Sequence, residues 1–274
     1  MVPELLPSSP QLIADDTWLI PTIMAEPSGA FLSVHTMVIR GEQPVIVDTG
    51  CSLFRDVWME KAFSVVDPLD VRWIFITHDD HDHIGNLEPV LEMCPNATLI
   101  GNFLTVARLS GDVPLPLHRM RWMDAGDTLD IGDRVLTAVR PPMFDSPSTR
   151  AVHDSFTRVL WAADSFASFL PGEVYDAGDV PVDMYDQSFA VLNGWNTPWL
   201  EWVDTDRFAA HVNASRALPL DVVASCHGPV HRGHHIGEAY RRTLDLAAQP
   251  ILPMPGQAML DQLLSSILPP VVAA

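Results

Sequence analysis

Thr77-His78-Asp79-Asp80-His81-Asp82-His83-Ile84-Gly85-Asn86 carries three His and three Asp in ten residues. It follows the apolar run Val71-Arg72-Trp73-Ile74-Phe75-Ile76, whose composition predicts a short buried β-strand. Leu87 to Met93, just behind it, predicts a short helix. The cluster is therefore expected on a loop at the C-terminal end of a strand, the edge of layered α/β folds where ligands gather. Imidazole and carboxylate groups are metal ligands, and this many on one loop can surround a metal. An acidic helix cap would need one Asp, not three interleaved with three His.

Composition bounds the rest. At 274 residues the chain can bury a sizeable core, and one large α/β domain is the default. An apolar content of 47% marks a folded chain. With 35 acidic against 16 basic residues the net charge is −19, which argues against nucleic acid and anionic membranes as partners. Cys51, Cys94 and Cys226 form no C-x-x-C pair, and so odd and sparse a set fits a reducing cytosol. Met1 to Pro10 holds no basic residue and no apolar core, so it does not read as a signal peptide. No apolar run approaches the ~18 residues of a membrane span. A cytoplasmic location is expected.

Working outward, residues 16–24 predict an opening strand after a Pro-rich arm, and Phe31 to Arg40 a second. Gly41-Glu42-Gln43-Pro44 is a turn, and Val45-Ile46-Val47 a third strand ending in Asp48-Thr49-Gly50. Taken alone, Asp48 reads as an Asp that hydrogen-bonds its own turn. Ser52 to Val66 predicts an amphipathic helix with Leu53, Val57, Phe63 and Val66 among its apolar positions. Ala97 to Gly101 is expected as a strand and Phe103 to Leu109 as a helix. Turn signals at Gly126 and Gly132 precede the strand Arg134 to Val139. A hairpin is expected from Ala151 to His153 and Arg158 to Ala162, leading into Asp164. Pro219 to Ser225 is expected as the final strand, capped by Cys226-His227-Gly228-Pro229, with closing helices at about 233–248 and 257–267. Phe166, Phe169, Tyr175, Tyr185, Phe189, Trp195, Trp199, Trp202 and Phe208 fall between Asp164 and His227, most of them in an insertion at about 167–218. It is expected to be helical, either as a lid that excludes water from a site or as ordinary core or a homodimer contact.

His78-x-Asp80-x-Asp82-His83 resembles the H-x-[H/E/D]-x-D-H loop of the metallo-β-lactamase superfamily. Four further segments fall in that superfamily's order. They are Val47-Asp48-Thr49-Gly50, the Gly126-Asp127-Thr128-Leu129 hairpin, Val159-Leu160-Trp161-Ala162-Ala163-Asp164, and His227-Gly228. The resemblance covers about Val45 to Pro229. It implies an α/β four-layer αβ/βα sandwich, a single domain over residues 1–274 that includes the helical, aromatic-rich insertion.

The resemblance also implies a ligand set. His78 and Asp80 would bind a first metal, Asp82, His83 and His227 a second, and Asp164 would bridge them. Asp48 would support the loop from behind. His35 is either a hydrogen-bond donor near the site or a satisfied strand histidine. The superfamily's further histidine for the first metal is missing. Counted back from Asp164 without gaps, its slot falls on Asp145, while His153 sits near a hairpin turn and is expected to point away. Either Asp145 is the ligand or the first metal keeps an open position. His81 is expected to be exposed. His231, His234 and His235 are expected at the surface or at a helix N-terminus, and Cys226 as a small buried residue.

A carboxylate in the second slot, here Asp80, separates the flavodiiron branch of the superfamily from most of its zinc hydrolases. With Asp145 the set holds three His and four Asp, and four carboxylates balance the charge of two divalent ions. Such mixed N/O donors suit iron or manganese better than zinc. Phe144 to Arg150 and Trp161 to Phe166 look like the smaller oxygen-binding di-iron proteins of that branch, which lack a flavodoxin domain. No Ser/Thr-rich phosphate loop is found, so no flavin is expected in this chain. The resemblance implies two iron ions that bind and reduce dioxygen or nitric oxide with electrons from an external donor. Three other functions compete. One is a dinuclear hydrolase attacking a lactone, ester or phosphodiester through metal-activated water. The others are a non-catalytic oxygen or nitric-oxide sensor and an oxidase of an organic substrate. The fold alone does not choose among them.

Overall fold

Short strands with alternating burial build the frame. In the first half come β1 (Gln11–Ala14), β2 (Thr17–Ile20), β3 (Ile23–Ala25), β4 (Phe31–Ser33), β5 (Thr36–Ile39) and β6 (Val45–Val47). After α1 (Arg55–Val65) follow β7 (Trp73–Phe75), α2 (His81–Ile84), α3 (Leu87–Met93), β8 (Thr98–Gly101), α4 (Phe103–Leu109) and β9 (Met120–Trp122). The second half opens with β10 (Thr128–Asp130), β11 (Val135–Val139), β12 (Ala151–Asp154) and β13 (Val159–Trp161). Helices α5 (Val182–Asn196) and α6 (Thr205–Arg216) precede β14 (Val222–Ala224), β15 (His231–Arg232), α7 (His234–Leu246) and α8 (Gln257–Ile267). This computed structural model describes residues 3–267. No helix among the described residues is long and apolar enough to cross a membrane.

The strands form a seven-stranded sheet in the order β1-β2-β5-β6-β7-β8-β9, a six-stranded sheet β10-β11-β12-β13-β14-β15, and a small β3-β4 ribbon. The period-two alternation of each strand sorts its side chains into separate cores. Val45 and Val47 face inward to meet Trp161 and Ala224 of the other sheet, while Ile46 between them faces out to Trp58 of α1 and Val90 of α3. In the second sheet Leu160 and Val223 turn outward to Phe189, Val212 and Tyr240 of α5, α6 and α7. Three apolar interfaces thus separate four layers, the αβ/βα sandwich that the resemblance implied. Each fully buried Leu, Ile, Val or Phe contributes ~1.5–3 kcal/mol relative to exposure.

Register decides where the site lies. β6 and β7 run parallel with Val47 beside Phe75, so Asp48 and Thr77 emerge side by side. β13 and β14 run parallel with Trp161 beside Ala224, so Asp164 and His227 emerge together from the facing sheet. Two glycines allow the loops to close. A Cβ on Gly85 would lie 2.3 Å from the Ser52 nitrogen, so the His/Asp loop docks on the Gly50–Ser52 turn only with glycine there. A Cβ on Gly228 would lie 2.9 Å from the Phe166 carbonyl oxygen.

Several expectations need correction. The single strand over 16–24 is broken at Pro21, which has no N–H to donate, and β1 lies in what reads as a Pro-rich arm. The strand over Phe31 to Arg40 is two strands. Its chain switches sheets at Val34 and His35, whose N–H groups donate to the Thr22 and Cys226 carbonyls instead of continuing one ladder. In the helix after Gly50 the buried face is Phe54, Trp58, Ala62 and Val66, spaced by four, while Leu53 and Val57 are 50% and 36% exposed. Trp58 also donates its indole N–H to the Thr36 hydroxyl, which fixes that face inward. Pro219 to Ser225 does not hold the final strand, because β15 pairs antiparallel with β14.

Candidate metal centre

The His/Asp run is loop only as far as Asp80; His81 to Ile84 wind into the one turn of α2. That turn separates the side chains. His78 and His83 point into the gap between the sheets and are buried, whereas His81 is exposed, as expected. The His78 and His83 rings stack 3.9 Å apart between centroids.

Three imidazoles converge on Asp164 from both sheets. His78 Nε2 lies 3.2 Å from Asp164 Oδ2, while His83 Nε2 and His227 Nε2 lie 2.9 and 3.5 Å from Asp164 Oδ1. One carboxylate therefore faces two groups with different oxygens. Asp80 and Asp145 stand 3.7 and 3.9 Å from His78 Nε2, and Asp82 stands 3.0 Å from His227 Nε2 and 3.6 Å from His83 Nε2. Asp164 sits between Ala163 and Phe166, whose φ angles of 51° and 69° lie in the left-handed region. Side chains rarely adopt that conformation, and it persists here because packing holds the turn.

The far nitrogens are engaged by protein. Asp48 Oδ2 lies 3.0 Å from His83 Nδ1 and also accepts from the Thr77 hydroxyl and the Trp161 indole. The Ser33 carbonyl is 2.7 Å from His227 Nδ1, and the Thr77 hydroxyl is 3.1 Å from His78 Nδ1. A carbonyl can only accept, so His227 Nδ1 carries hydrogen and leaves Nε2 free to face the cluster. Asp48 is thus more than a turn residue, and its own φ of 60° is tolerated because Asp populates that region more readily than most.

The donor set fits a metal pair. His78 Nε2, His83 Nε2 and Asp164 Oδ1 are buried without an aligned hydrogen-bond partner, although the nitrogens lie close to the carboxylate. Ligand atoms of these three residues lie within 4.8 Å of one another, and an unpaired buried polar atom is costly. The charges agree. Burial and His83 push the His78 imidazolium down, but Asp164 and Asp80 outweigh them and raise its pKa to about 10. Burial opposes Asp164, yet His83, His78 and His227 hold its carboxyl well below the ordinary range. Without metal, protons on imidazoles supply the positive charge these carboxylates require. Asp145 differs: burial, then Asp164, raise it to about 6.

The structure brings together His78, Asp80, Asp82, His83, Asp164 and His227, with Asp145 at the open side and Asp48 behind. His35 is buried behind His227, both ring nitrogens without a hydrogen-bond partner among the described residues, and burial followed by the His227 charge lowers its pKa to about 3. His153 points away, its Nε2 being 3.1 Å from the Pro219 carbonyl. His231 is a correction: it is a buried strand residue whose Nε2 lies 2.6 Å from the Tyr185 hydroxyl. Cys226 is buried as expected, but its sulfur also lies among Asp82, His83 and His227. Asp79 was missed. It accepts from Ser148 Oγ at 2.6 Å and pairs with Arg108, tying the Asp145 loop to the His/Asp loop. Only its place between two candidate ligands could have signalled this. Of the aromatic insertion, Phe166, Tyr185, Phe189 and Phe208 lie in the outer core of the second sheet, whereas Trp199 packs on Phe144, 5.2 Å between ring centroids.

Known proteins are similar to this chain in sequence and in fold. The anaerobic nitric oxide reductase flavorubredoxin of Salmonella typhi is 26% identical over 202 residues, covering 73% of this chain and 42% of that protein. Diflavin flavoprotein A 1 of Synechocystis sp. strain PCC 6803 is 24% identical over 212 residues, covering 76% of this chain and 35% of that one. The chain thus spans well under half the length of these curated relatives. Among solved structures, rubredoxin oxygen:oxidoreductase from Desulfovibrio gigas superposes with a TM-score of 0.76 at 19% identity, over 88% of this chain and 62% of that one. The flavodiiron protein from Giardia intestinalis gives 0.73 at 16% identity, over 89% and 60%. The model of the ODP family beta lactamases matches residues 31–228, from β4 to the glycine after His227, and the chain belongs to that family.

Proposed function

We propose that this chain holds two iron ions at the meeting edge of its sheets and acts on dioxygen or nitric oxide with electrons from an external donor. The observation that carries the proposal is the donor set, in which three imidazole nitrogens and four carboxylates converge with Asp80 in the slot that most zinc hydrolases fill with His. His78, Asp80 and Asp145 would hold one ion, Asp82, His83 and His227 the other, and Asp164 both. When bound, a ferrous pair supplies two electrons to a diatomic ligand, one from each ion.

The chain's residues set the terms of that chemistry. Asp48 and the Ser33 carbonyl fix the ring orientation of His83 and His227, as partners behind metal ligands do. The approach side is the one lined by Asp80 and Asp145, whose side chains are 43% and 22% exposed while those of His78 and His83 are fully covered. Without metal, burial and the Asp164 charge raise the Asp145 carboxyl to about 6, so this ligand would lose its proton on binding an ion. Two relatives support the substrate class by name, one as a nitric oxide reductase and one as a rubredoxin oxygen:oxidoreductase. Both are longer proteins, of which this chain spans 42% and 62%.

Anaerobic purification, metal analysis and an optical spectrum before and after air test this reading. Two irons per chain and a new visible absorption on oxygenation are expected. Two zincs and no oxygen response, in protein grown with iron available, would overturn it and favour lactone or phosphodiester hydrolysis. Multiple turnover with a reducing partner separates a reductase from a sensor.

A further inference from the structure

A cavity of about 710 Å³ is walled in part by Phe144 and Pro147, which flank Asp145 in sequence, and no residue of the His/Asp cluster lines it. That volume is in the range of small-molecule sites. Phe144, one residue before Asp145, forms part of its wall with Trp199, and Trp202 adds an indole that is 81% exposed. Trp199 is anchored by its indole N–H donating to the Phe144 carbonyl at 2.8 Å, and Phe208 braces it edge-on at 5.8 Å between centroids. The aromatic wall is therefore fixed in place, with its outer end uncovered.

Two cations share this wall. Arg140 lies with its guanidinium 5.0 Å from the Phe144 ring centre, and Arg207 enters from α6. Neither forms an ion pair with a carboxylate among the described residues, in a chain with 35 acidic side chains. Burial and then Arg150 push the Arg140 guanidinium below its ordinary range, with Asp124 pulling the other way, so an added anion would relieve it. Asp204 also lines the cavity, but its Oδ1 accepts the Arg207 backbone N–H at 2.9 Å and caps α6. That carboxylate and the net charge of −19 weigh against a dianion such as a phosphate monoester.

We propose that this cavity is a binding site for a small aromatic monocarboxylate, its ring against Phe144, Trp199 and Trp202 and its carboxylate between Arg140 and Arg207. Arginine's planar fork matches a carboxylate, and aromatic faces hold a flat ring at low entropic cost. Such binding requires no metal, so it stands independently of the di-iron reading.

The test is calorimetric titration of 1-naphthoate into the full chain, both metal-loaded and chelator-treated. Saturable binding in both forms is expected. Arg207→Ala, on an exposed helix face, should weaken it about tenfold, the effect of one charge-assisted hydrogen bond. Arg207→Lys should restore part of that loss, and neutral 1-naphthalenemethanol should bind about tenfold more weakly than the acid. Four outcomes would overturn the proposal: no saturable binding, binding only when metal is present, equal binding of the alcohol, or displacement by millimolar inorganic phosphate. Arg140→Gln with an unchanged circular dichroism spectrum provides the second variant, and full affinity in both arginine variants would also overturn it.

Discussion

His78, His83 and His227 at the sheet edges and His35 and His231 deeper in the sandwich are all covered imidazoles, yet they carry opposite properties. The first three are raised in pKa against their burial: His78 by Asp164 and Asp80, His83 by Asp164, Cys226, Asp48 and Asp82, and His227 by Cys226, Asp164 and Asp82. The other two are lowered to about 3: burial and then the His227 charge act on His35, and burial outweighs the Val223 backbone hydrogen bond and the Glu238 charge at His231. Burial therefore says little about a histidine's role. What faces its free nitrogen says more: converging carboxylates at the edge, a tyrosine hydroxyl at His231, and no hydrogen-bond partner among the described residues at His35.

The sharpest way to break the contrast is to remove an edge imidazole. His83→Ala or His227→Ala should lower the metal content from two to at most one per chain and abolish the oxygen-dependent absorption, whereas His231→Gln should leave both intact. Metal analysis of the purified variants decides, and equal loss in all three would end the distinction. Asp48→Asn should keep the fold but weaken metal binding 10–100-fold, because the group orienting His83 loses its charge. Competition with a chelator of known affinity measures that shift.

Asp145 sharpens the comparison within the edge group. Among the candidate carboxylate ligands its pKa is raised, and it lies 3.9 Å from His78, so Asp145→Asn should cost less than loss of any imidazole, about tenfold in affinity for one ion. No change in affinity would mean that the first ion keeps an open position there.

His231 tests the other side of the comparison. Its folded pKa of about 3 lies below the ordinary 6.5, so the unfolded chain binds more protons in acid. Its contribution is complete above pH 6.5 and is lost as pH falls toward 3, with a slope of at most ~1.4 kcal/mol per pH unit. His231→Gln should flatten the fall in unfolding free energy between about pH 6 and pH 4, measured by denaturant titration against the parent protein.

Much of this was legible before the fold was known. The helices Leu87–Met93 and Phe103–Leu109 and the strand Val45–Val47 have the bounds their patterns predicted, because local signals such as the Asn102 cap set them. The errors fall where distant partners decide. Leu53 and Val57 read as core but face water, since Trp58 is the residue that reaches Thr36. His231 read as surface, since nothing near it in sequence announces β15 or Tyr185. Asp79 was passed over, since its partners Arg108 and Ser148 come from other elements.

By itself, then, the sequence determined the types and order of the metal-binding side chains and the alternation that sorts each strand into inner and outer faces. Both are properties of residue chemistry and backbone period. The tertiary structure decided that Asp164 offers one oxygen to His78 and the other to His83 and His227, and which of the covered imidazoles face the converging carboxylates. Those outcomes depend on parallel register between strands far apart in the chain, and on a field summed over neighbours that only the packed sheets bring within a few ångströms.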